Sequence, residues 1–406
     1  MVTTAGVAEP SIVTLRPRVS LSTLLFAHLQ AGMTAFGVAI IPKLKALVLT
    51  RRWLSEEEMN EGLALVQLYP GPMMVDFTAY VGYKLRGVPG AIISAAGFIL
   101  PSFVLMLALS AVYFSLGNLP QVQPMFIGLE SIVVGLVVHL ALDFGERVLK
   151  GKLQALIALL AFGGLLFKVN AVLIVFVSLA LGALLLSPRR GQAQSAAPTG
   201  TEPLAPGRWV AIGLVTALVI GVAIFAATLQ SDLGRMALAF FKIGTVAFGN
   251  GVTIMPLVQA DVVDTYHWLS PAQFADGIAL GQITPGPTLI TATFVGYKLA
   301  GLFGATLATF AMFSPSIVMT LIFTEVFTRL RNLRFIRGAL AGVMSSFVGL
   351  LAVLAWQLGG TAIISPAALT LAAAALVAVR FLKWDVVWVF VAGLALWAGV
   401  LAFGLA

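Results

Sequence analysis

The stretch "YPGPMMVDFTAYVGYKLRG", Tyr69 to Gly87, sets two prolines and a glycine at the head of an apolar run that closes on Val-Gly-Tyr-Lys. A second copy, "TPGPTLITATFVGYKLAG", runs from Thr284 to Gly301. Proline inside a helix removes one backbone hydrogen bond and clashes with the preceding turn, at a cost of about 3 kcal/mol. At the first turn of a helix it is well tolerated. Each Pro-Gly-Pro therefore reads as one helix ending and another beginning inside an apolar segment.

The two copies extend well beyond these motifs. "WLSEEEMNEGLALVQLYPGP" (Trp53 to Pro72) aligns without a gap to "WLSPAQFADGIALGQITPGP" (Trp268 to Pro287), which also matches Glu61 to Asp276. Further upstream, "GMTAFGVAIIP" (Gly32 to Pro42) aligns to "GTVAFGNGVTIMP" (Gly244 to Pro256), the second copy carrying two extra residues. The period is far longer than that of any solenoid.

With 60% hydrophobic and 10% charged residues over 406 positions, the chain is too apolar for a soluble domain, which would carry roughly a quarter charged residues. Apolar segments fall near 20–42, 61–83, 88–115, 125–145, 152–167 and 170–187, then 235–258, 275–297, 300–327, 338–358, 361–380 and 384–404. Such recurrence marks transmembrane helices. The expected organisation is an N-terminal cytoplasmic tail (1–19), a first repeat (20–187), a polar linker (188–207), a connecting helix (208–229) and a second repeat (230–406). The tail holds Glu9, Pro10, Arg16 and Arg18 without an apolar core, so no cleaved signal peptide is expected.

The formal charge of +8 is in this setting a topology signal rather than a nucleic-acid footprint. With no cysteine, disulfides and thiolate metal sites are excluded. His28, His139 and His267 show no ligand spacing. No metal, cofactor or enzymatic chemistry is expected.

An even number of segments plus one connecting helix brings the second repeat in from the opposite side. The fold expected is an all-α polytopic membrane protein with two inverted-topology repeats, containing broken or re-entrant helices and joined by a connecting transmembrane helix, as in many secondary transporters. If every segment spans once, loop 43–60 puts Lys43, Lys45, Arg51 and Arg52 on the outer face. If the first two segments of each repeat are re-entrant, that loop moves inside and the loop with Asp261 and Asp264 moves outside. The exceptions are then Lys168, Arg235, Lys242 and Lys298, and the other 20 of the 24 Lys and Arg lie inside.

Broken helices of this kind expose a helix start, which carries about half a positive charge and unsatisfied N–H groups that bind anions. The candidate substrate-binding residues are Thr284, Pro285, Gly286, Pro287 and Thr288, with Phe248, Gly249, Asn250 and Gly251 in the opposite arm and Pro70, Gly71 and Pro72 in the first copy. Thr291 and Thr293 add hydroxyls to the cradle. The competing reading is that the glycines permit close packing and the prolines only kink. Lys84, Lys242 and Lys298 are further candidates, although cations at segment ends commonly snorkel to the interface. Ionisable groups inside apolar segments are costly and functional by default, which singles out Asp76 and Glu130 for coupling or gating. The first copy has one more residue than the second between Pro-Gly-Pro and Val-Gly-Tyr-Lys, which a π-bulge near Asp76 would absorb.

With "FGNGVTIMP", "WLSPAQFADGIALGQITPGPT" and "FVGYKLAG" in place, the chain resembles the chromate ion transporter (CHR) family, long-chain two-domain type, over nearly its whole length outside the tail and linker. The resemblance implies a multi-pass protein of the bacterial inner membrane that exports chromate, driven by membrane potential or proton gradient, and so confers resistance. Sulfate is the expected competitor. The partners it implies are a chromate or sulfate-like oxyanion and the lipid bilayer, with no nucleic acid and with homodimer formation left open. Departures from the family pattern are Val38 in Phe36-Gly37-Val38, and Gln282 and Met73 where relatives commonly carry glutamate; through that resemblance Gln282 joins Asp76 and Glu130 as a candidate for coupling or gating. The alternatives are a sulfate or other oxyanion carrier of the same fold, a membrane-bound chromate reductase and a membrane scaffold.

Overall fold

In hydrocarbon every backbone amide needs a partner within the chain, so apolar segments of this length become helices. The computed structural model describes residues 19–34, 40–116, 123–187, 206–229, 231–249, 251–330 and 334–403. The first half contains α1 (Leu21–Thr34), α2 (Ile40–Thr50), α3 (Glu56–Leu65), the short strand β1 (Gly71–Pro72), α4 (Met73–Leu116), α5 (Gln123–Val148), α6 (Lys152–Leu166) and α7 (Ala171–Leu185). After α8 (Pro206–Thr228) come α9 (Asp232–Val246), β2 (Phe248–Gly249), a 3-10 turn at Val252–Ile254, α10 (Met255–Gln259) and a π-helix at Ala260–Thr265. The second half continues with α11 (Pro271–Ile283), a 3-10 turn at Thr288–Ile290, α12 (Thr291–Leu330), α13 (Arg334–Ala362), α14 (Pro366–Arg380) and α15 (Val386–Ala402). Five stretches among the described residues are long and apolar enough to cross a membrane: Met73–Leu116, Gln123–Val148, Gly207–Thr228, Thr288–Val326 and Phe335–Ala362. The protein is an all-α polytopic membrane protein.

The repeat in sequence is a repeat in structure. Helix α4 breaks at Arg86 and Gly87, the latter at φ 63°. Helix α12 breaks at Ala300 and Gly301, the latter at φ 56°. Only glycine adopts this left-handed region without steric cost, so the Val-Gly-Tyr-Lys-Leu-x-Gly ending encodes a chain reversal. The segments near 61–83 and 275–297 thus comprise a short helix, the Pro-Gly-Pro break and a second short helix.

The one-residue difference between the copies is not absorbed by a π-bulge at Asp76, because α4 is α-helical from Met73. The shorter copy instead winds its first turn as 3-10 at Thr288–Ile290 before α12 begins. Three residues at the 3-10 rise of about 2.0 Å span the same length as four at the α rise of about 1.5 Å, which takes up the missing residue.

Two expected loops are largely helical. Residues 43–60 fold into the end of α2 and the start of α3, leaving only Arg51–Ser55 between them. Ser55 caps α3 in a capping box with Glu58, and Ser270 caps α11 in one with Gln273. The supposed outer loop starts with the π-helix, where Asp261 is buried and paired with Lys242 at 2.7 Å.

The halves interlock rather than sit side by side. Helix α1 packs on α4 and α9 on α12, and α4 and α12 pack on each other. Helix α5 holds α14 and α15 of the other half, while α13 holds α6 and α7. The hairpin helices α6, α7, α14 and α15 have 15, 15, 15 and 17 residues, about 22–26 Å at 1.5 Å per residue. They turn Leu159, Leu184, Trp388 and Leu396 outward, an apolar surface suited to acyl chains.

Candidate functional site

The broken segments of the two halves meet. Gly71 pairs with Phe248 and Pro72 with Gly249 in a parallel two-residue bridge, and the Gly71 N–H donates to the Ala247 carbonyl. A Cβ on Gly71 would lie 1.9 Å from Asp76 Oδ2 and 2.8 Å from Ser316 Cβ. In the other copy, a Cβ on Gly286 would lie 2.1 Å from Ser102 Oγ, which donates to the Pro285 carbonyl at 2.6 Å. Ser102 and Ser316 occupy matched positions, each next to a proline of its long helix. Each Pro-Gly-Pro therefore rests on the long helix of the other half. The first-copy counterpart of β2, Phe36-Gly37, lies outside the described residues, as does Asn250.

Within the second half, the two arms converge as well. Gly251, at φ 73°, packs so closely on Thr288 that a Cβ would lie 2.3 Å from Thr288 Oγ1. The Thr253 hydroxyl donates to the Phe248 carbonyl at 2.8 Å and ties that arm down.

Asp76 sits one turn beyond Pro72 and is fully buried. Neither of its carboxylate oxygens has a hydrogen-bond partner. The hydroxyls of Ser316 and Thr320 lie within its electrostatic reach. Each already donates to a backbone carbonyl, Ser316 to Phe313 and Thr320 to Ser316, both at 3.0 Å. Tyr69 adds its hydroxyl to Thr320 at 2.7 Å. An ionised carboxylate without a donor is expensive to bury.

A cavity of about 310 Å³ opens beside the second break, with Gln282, Pro287, Thr288 and Met74 in its wall. Its remaining polar lining comes from His139, Asp143 and Arg147 of α5 and from Lys383 and Asp385 between α14 and α15. Arg147 pairs with Asp143 at 2.8 Å. Asp385 caps α15 through the Val387 N–H. Lys383 has no ion-pair partner among the described residues, and its φ of 57° places it in the left-handed turn that closes α14. A helix start, a threonine and basic side chains around one cavity form a set of donors suited to an oxyanion.

Other sequence candidates lie elsewhere. The Thr284 hydroxyl is buried and donates to Gly281, Thr291 reaches the Gly277 and Thr288 carbonyls, and Thr293 bonds Thr309. These hydroxyls are taken up by partners inside the helices or between them and do not line the cavity. Lys242 is committed to Asp261. Lys84 lies over the Tyr80 ring and Lys298 over the Phe114 ring, at 5.6 and 5.1 Å. Glu130 is buried on α5 and lines no part of this cavity.

The sequence profile of the chromate transporter family matches residues 22–183 and 234–398. The chain belongs to the chromate transporter family. It is 33% identical over 333 residues to an uncharacterised transporter of Methanocaldococcus jannaschii, covering 81% of this chain and 82% of that one. It is 32% identical over 342 residues to a chromate transport protein of Cupriavidus metallidurans, covering 82% and 81%. A probable chromate transport protein of Synechococcus elongatus is 32% identical over 321 residues, covering 77% and 78%. No solved structure matches the chain.

For this member of the chromate transporter family, sequence reasoning missed Arg147 and Lys383 as cavity residues. Both sit at ends of apolar segments, where a cation is ordinarily read as a topology signal. Their convergence depends on α5 packing against α14 and α15 of the other half.

Proposed function

We propose that this protein is a secondary transporter that exports chromate across the bacterial inner membrane and so confers chromate resistance. The cavity at Pro287–Thr288 loads the anion, and membrane potential or a proton gradient drives the cycle. The observation that carries this reading is the meeting of the second Pro-Gly-Pro break with Arg147, Lys383 and His139 around one cavity. The Lys and Arg distribution puts residues 147 and 383 on the cytoplasmic side, which suits loading from the cytoplasm. In this reading, residues 20–187 and 230–406 form two inverted repeats and α8 carries the chain across between them.

A dianion brought toward the midplane loses water at a cost no single hydrogen bond offsets. Pre-aimed N–H groups at the helix start and the Thr288 side chain share that cost, while Arg147 and Lys383 gather the anion toward them. Asp76 takes the coupling or gating role, because it lies against the first break and changes in its charge act directly on Gly71 and Ser316.

Sulfate fits the same donors, since they recognise a tetrahedral dianion rather than chromium; it enters as competitor and as the alternative substrate. Flux of radiolabelled chromate into inverted vesicles tests the reading, with and without an imposed proton gradient and with sulfate in excess. Saturable uptake that the gradient accelerates supports it. Loss of chromate with appearance of reduced chromium, or no uptake above empty vesicles, overturns it.

A further inference from the structure

A second buried acidic centre lies away from both breaks. Tyr113, in the last part of α4, donates its hydroxyl to Asp276 Oδ2 of α11 at 2.7 Å. Asp276 is 2% exposed, and its other oxygen, Oδ1, is buried with no hydrogen-bond partner. Glu130 of α5, itself buried, acts electrostatically on both Asp276 and Tyr113. Rings of Phe114, Phe126 and Phe294 pack edge-on or tilted around Tyr113 and each other at centroid distances of 4.7–5.1 Å, which gives the centre an aromatic wall.

Among the described residues, no cation answers this charge. From α4 and α5 the groups that face Asp276 are Tyr113 and Glu130. Helix α12 carries Tyr297, which stacks on Phe114, and Lys298, which lies over that same ring; neither is among the groups that act on Asp276. Helix α13 carries titratable side chains only at Arg334 and Arg337 in its first turn, and neither α15 nor the Thr288–Ile290 turn carries any. Two buried carboxylates thus act on each other beside one aromatic wall, and among the described residues the side-chain donor to Asp276 is one phenol. Ionising both would place two like charges in low dielectric with nothing to offset their desolvation.

We propose that Asp276, Tyr113 and Glu130 form a proton-binding site distinct from Asp76, and that it couples to the anion cavity through α11. The inference rests on the transport reading given above for its coupling, but not for its proton binding. Asp276 takes one proton on Oδ1 when the enclosure is shut and releases it to water when α11 moves away from α4 and α5. Helix α11 is the link. It carries Asp276, presents Gln282 to the cavity six residues later, and ends at Thr284 in the Pro-Gly-Pro break. Six residues are about 9 Å along a helix axis. Gly277, next to Asp276, touches Phe294 of α12, and its carbonyl is reached by Thr291. A shift of α11 therefore moves one wall of the anion cavity.

The test uses the full chain in proteoliposomes, with Asp276→Asn, Glu130→Gln and Tyr113→Phe each checked for folding by gel filtration and thermal unfolding. Infrared difference spectra taken across a pH titration read proton binding without any substrate. Wild type is expected to show a buried protonated-carboxyl band that Asp276→Asn or Glu130→Gln removes and Tyr113→Phe displaces. In chromate flux, Asp276→Asn is expected to lose at least tenfold of the acceleration by a proton gradient, while chromate binding followed by tryptophan fluorescence changes less than threefold. If Asp276→Asn does not fold, Glu130→Gln and Tyr113→Phe carry both measurements. Folded variants that keep the wild-type band and wild-type gradient response overturn the site. A band that behaves as expected in a protein with no chromate flux or binding leaves the site standing and sinks the transport reading instead.

Discussion

Ser102 of α4 donates to the Pro285 carbonyl at 2.6 Å, so the broken segment of the second half is held by a helix of the first. Ser316 of α12 sits against Gly71 in the reciprocal place. Interlocking of this kind makes the two breaks mechanically dependent. A movement of α12 relative to α4 alters the support of both Pro-Gly-Pro turns together, and bistable packed contacts are how small shifts become gating motions. Asp76 lies in the first of these contacts and Thr288 beside the second, so charge on one and anion at the other act on one crossing.

The support at Gly286 predicts a specific rescue. Gly286 has φ 99°, and a Cβ there would overlap Ser102 Oγ at 2.1 Å but lie 3.4 Å from Ser102 Cβ. Gly286→Ala should destabilise by about 1–3 kcal/mol from backbone strain alone, with the overlap added. Ser102→Ala in the same chain should recover the overlap and leave the strain. Thermal unfolding of both single variants and the double variant checks this, and strictly additive effects would show that the two residues are not coupled.

Topology gives a second prediction. Arg51 and Thr265 are exposed in matched connections of the two repeats. Inversion places them on opposite faces, with residue 51 cytoplasmic. Because the chain has no cysteine, Arg51→Cys and Thr265→Cys can be labelled singly with an impermeant maleimide in intact cells. Only the second should react, and labelling of both from outside contradicts inversion.

How far these features were legible depends on the distance over which they are encoded. The Pro-Gly-Pro breaks and the glycine reversals at Gly87 and Gly301 are local, and both follow from backbone chemistry of a few residues. The capping boxes at Ser55 and Ser270 are equally local, Ser-x-x-Glu and Ser-x-x-Gln, but a reading of these connections by their charges passes over them. The partners of each break were out of reach, because Ser102 and Ser316 are ordinary helix serines until α4 and α12 cross. Asp261 looked like part of an exposed acidic loop for the same reason, its partner Lys242 being on another helix. Arg147 and Lys383 converge only through the exchange of hairpins between halves.

Asp76→Asn should abolish gradient-driven export, with a loss of at least tenfold, while leaving insertion and folding intact. The amide keeps the shape and removes the titratable charge beside Gly71 and Ser316. Chromate efflux measured over a range of external pH decides the matter. A variant with the wild-type rate and wild-type pH dependence would take Asp76 out of the cycle.

The cations at the cavity mouth should behave differently from the donors at the break. Arg147 has a side chain 70% exposed and already paired with Asp143, so its attraction for an anion is screened by salt. Arg147→Gln and Lys383→Gln should each raise the half-saturating chromate concentration only a few-fold, and more at low ionic strength than at high. An effect insensitive to salt would mean that these side chains grip the anion directly rather than gather it.

Two threonines four residues apart separate an anion site from a packing device. Thr288 lines the cavity at the start of the helix, whereas Thr284 is buried with its hydroxyl on the Gly281 carbonyl at 2.9 Å. A hydrogen bond to a charged group is worth roughly 1.5–3 kcal/mol, or about ten- to a hundredfold in affinity. Thr288→Val keeps the shape and removes the hydroxyl, so it should raise the half-saturating chromate concentration by about that factor and weaken sulfate competition in parallel. Thr284→Val should lower thermal stability by about 1 kcal/mol and leave affinity within threefold. Pro287→Ala should affect expression more than affinity, because its ring mainly fixes the break. Initial-rate flux across a chromate concentration series, on variants matched for folded protein, reads all three. The assignment of the anion to the second break is falsified if Thr288→Val transports chromate with wild-type affinity while Thr284→Val does not, since the hydroxyl that matters would then be one facing away from the cavity.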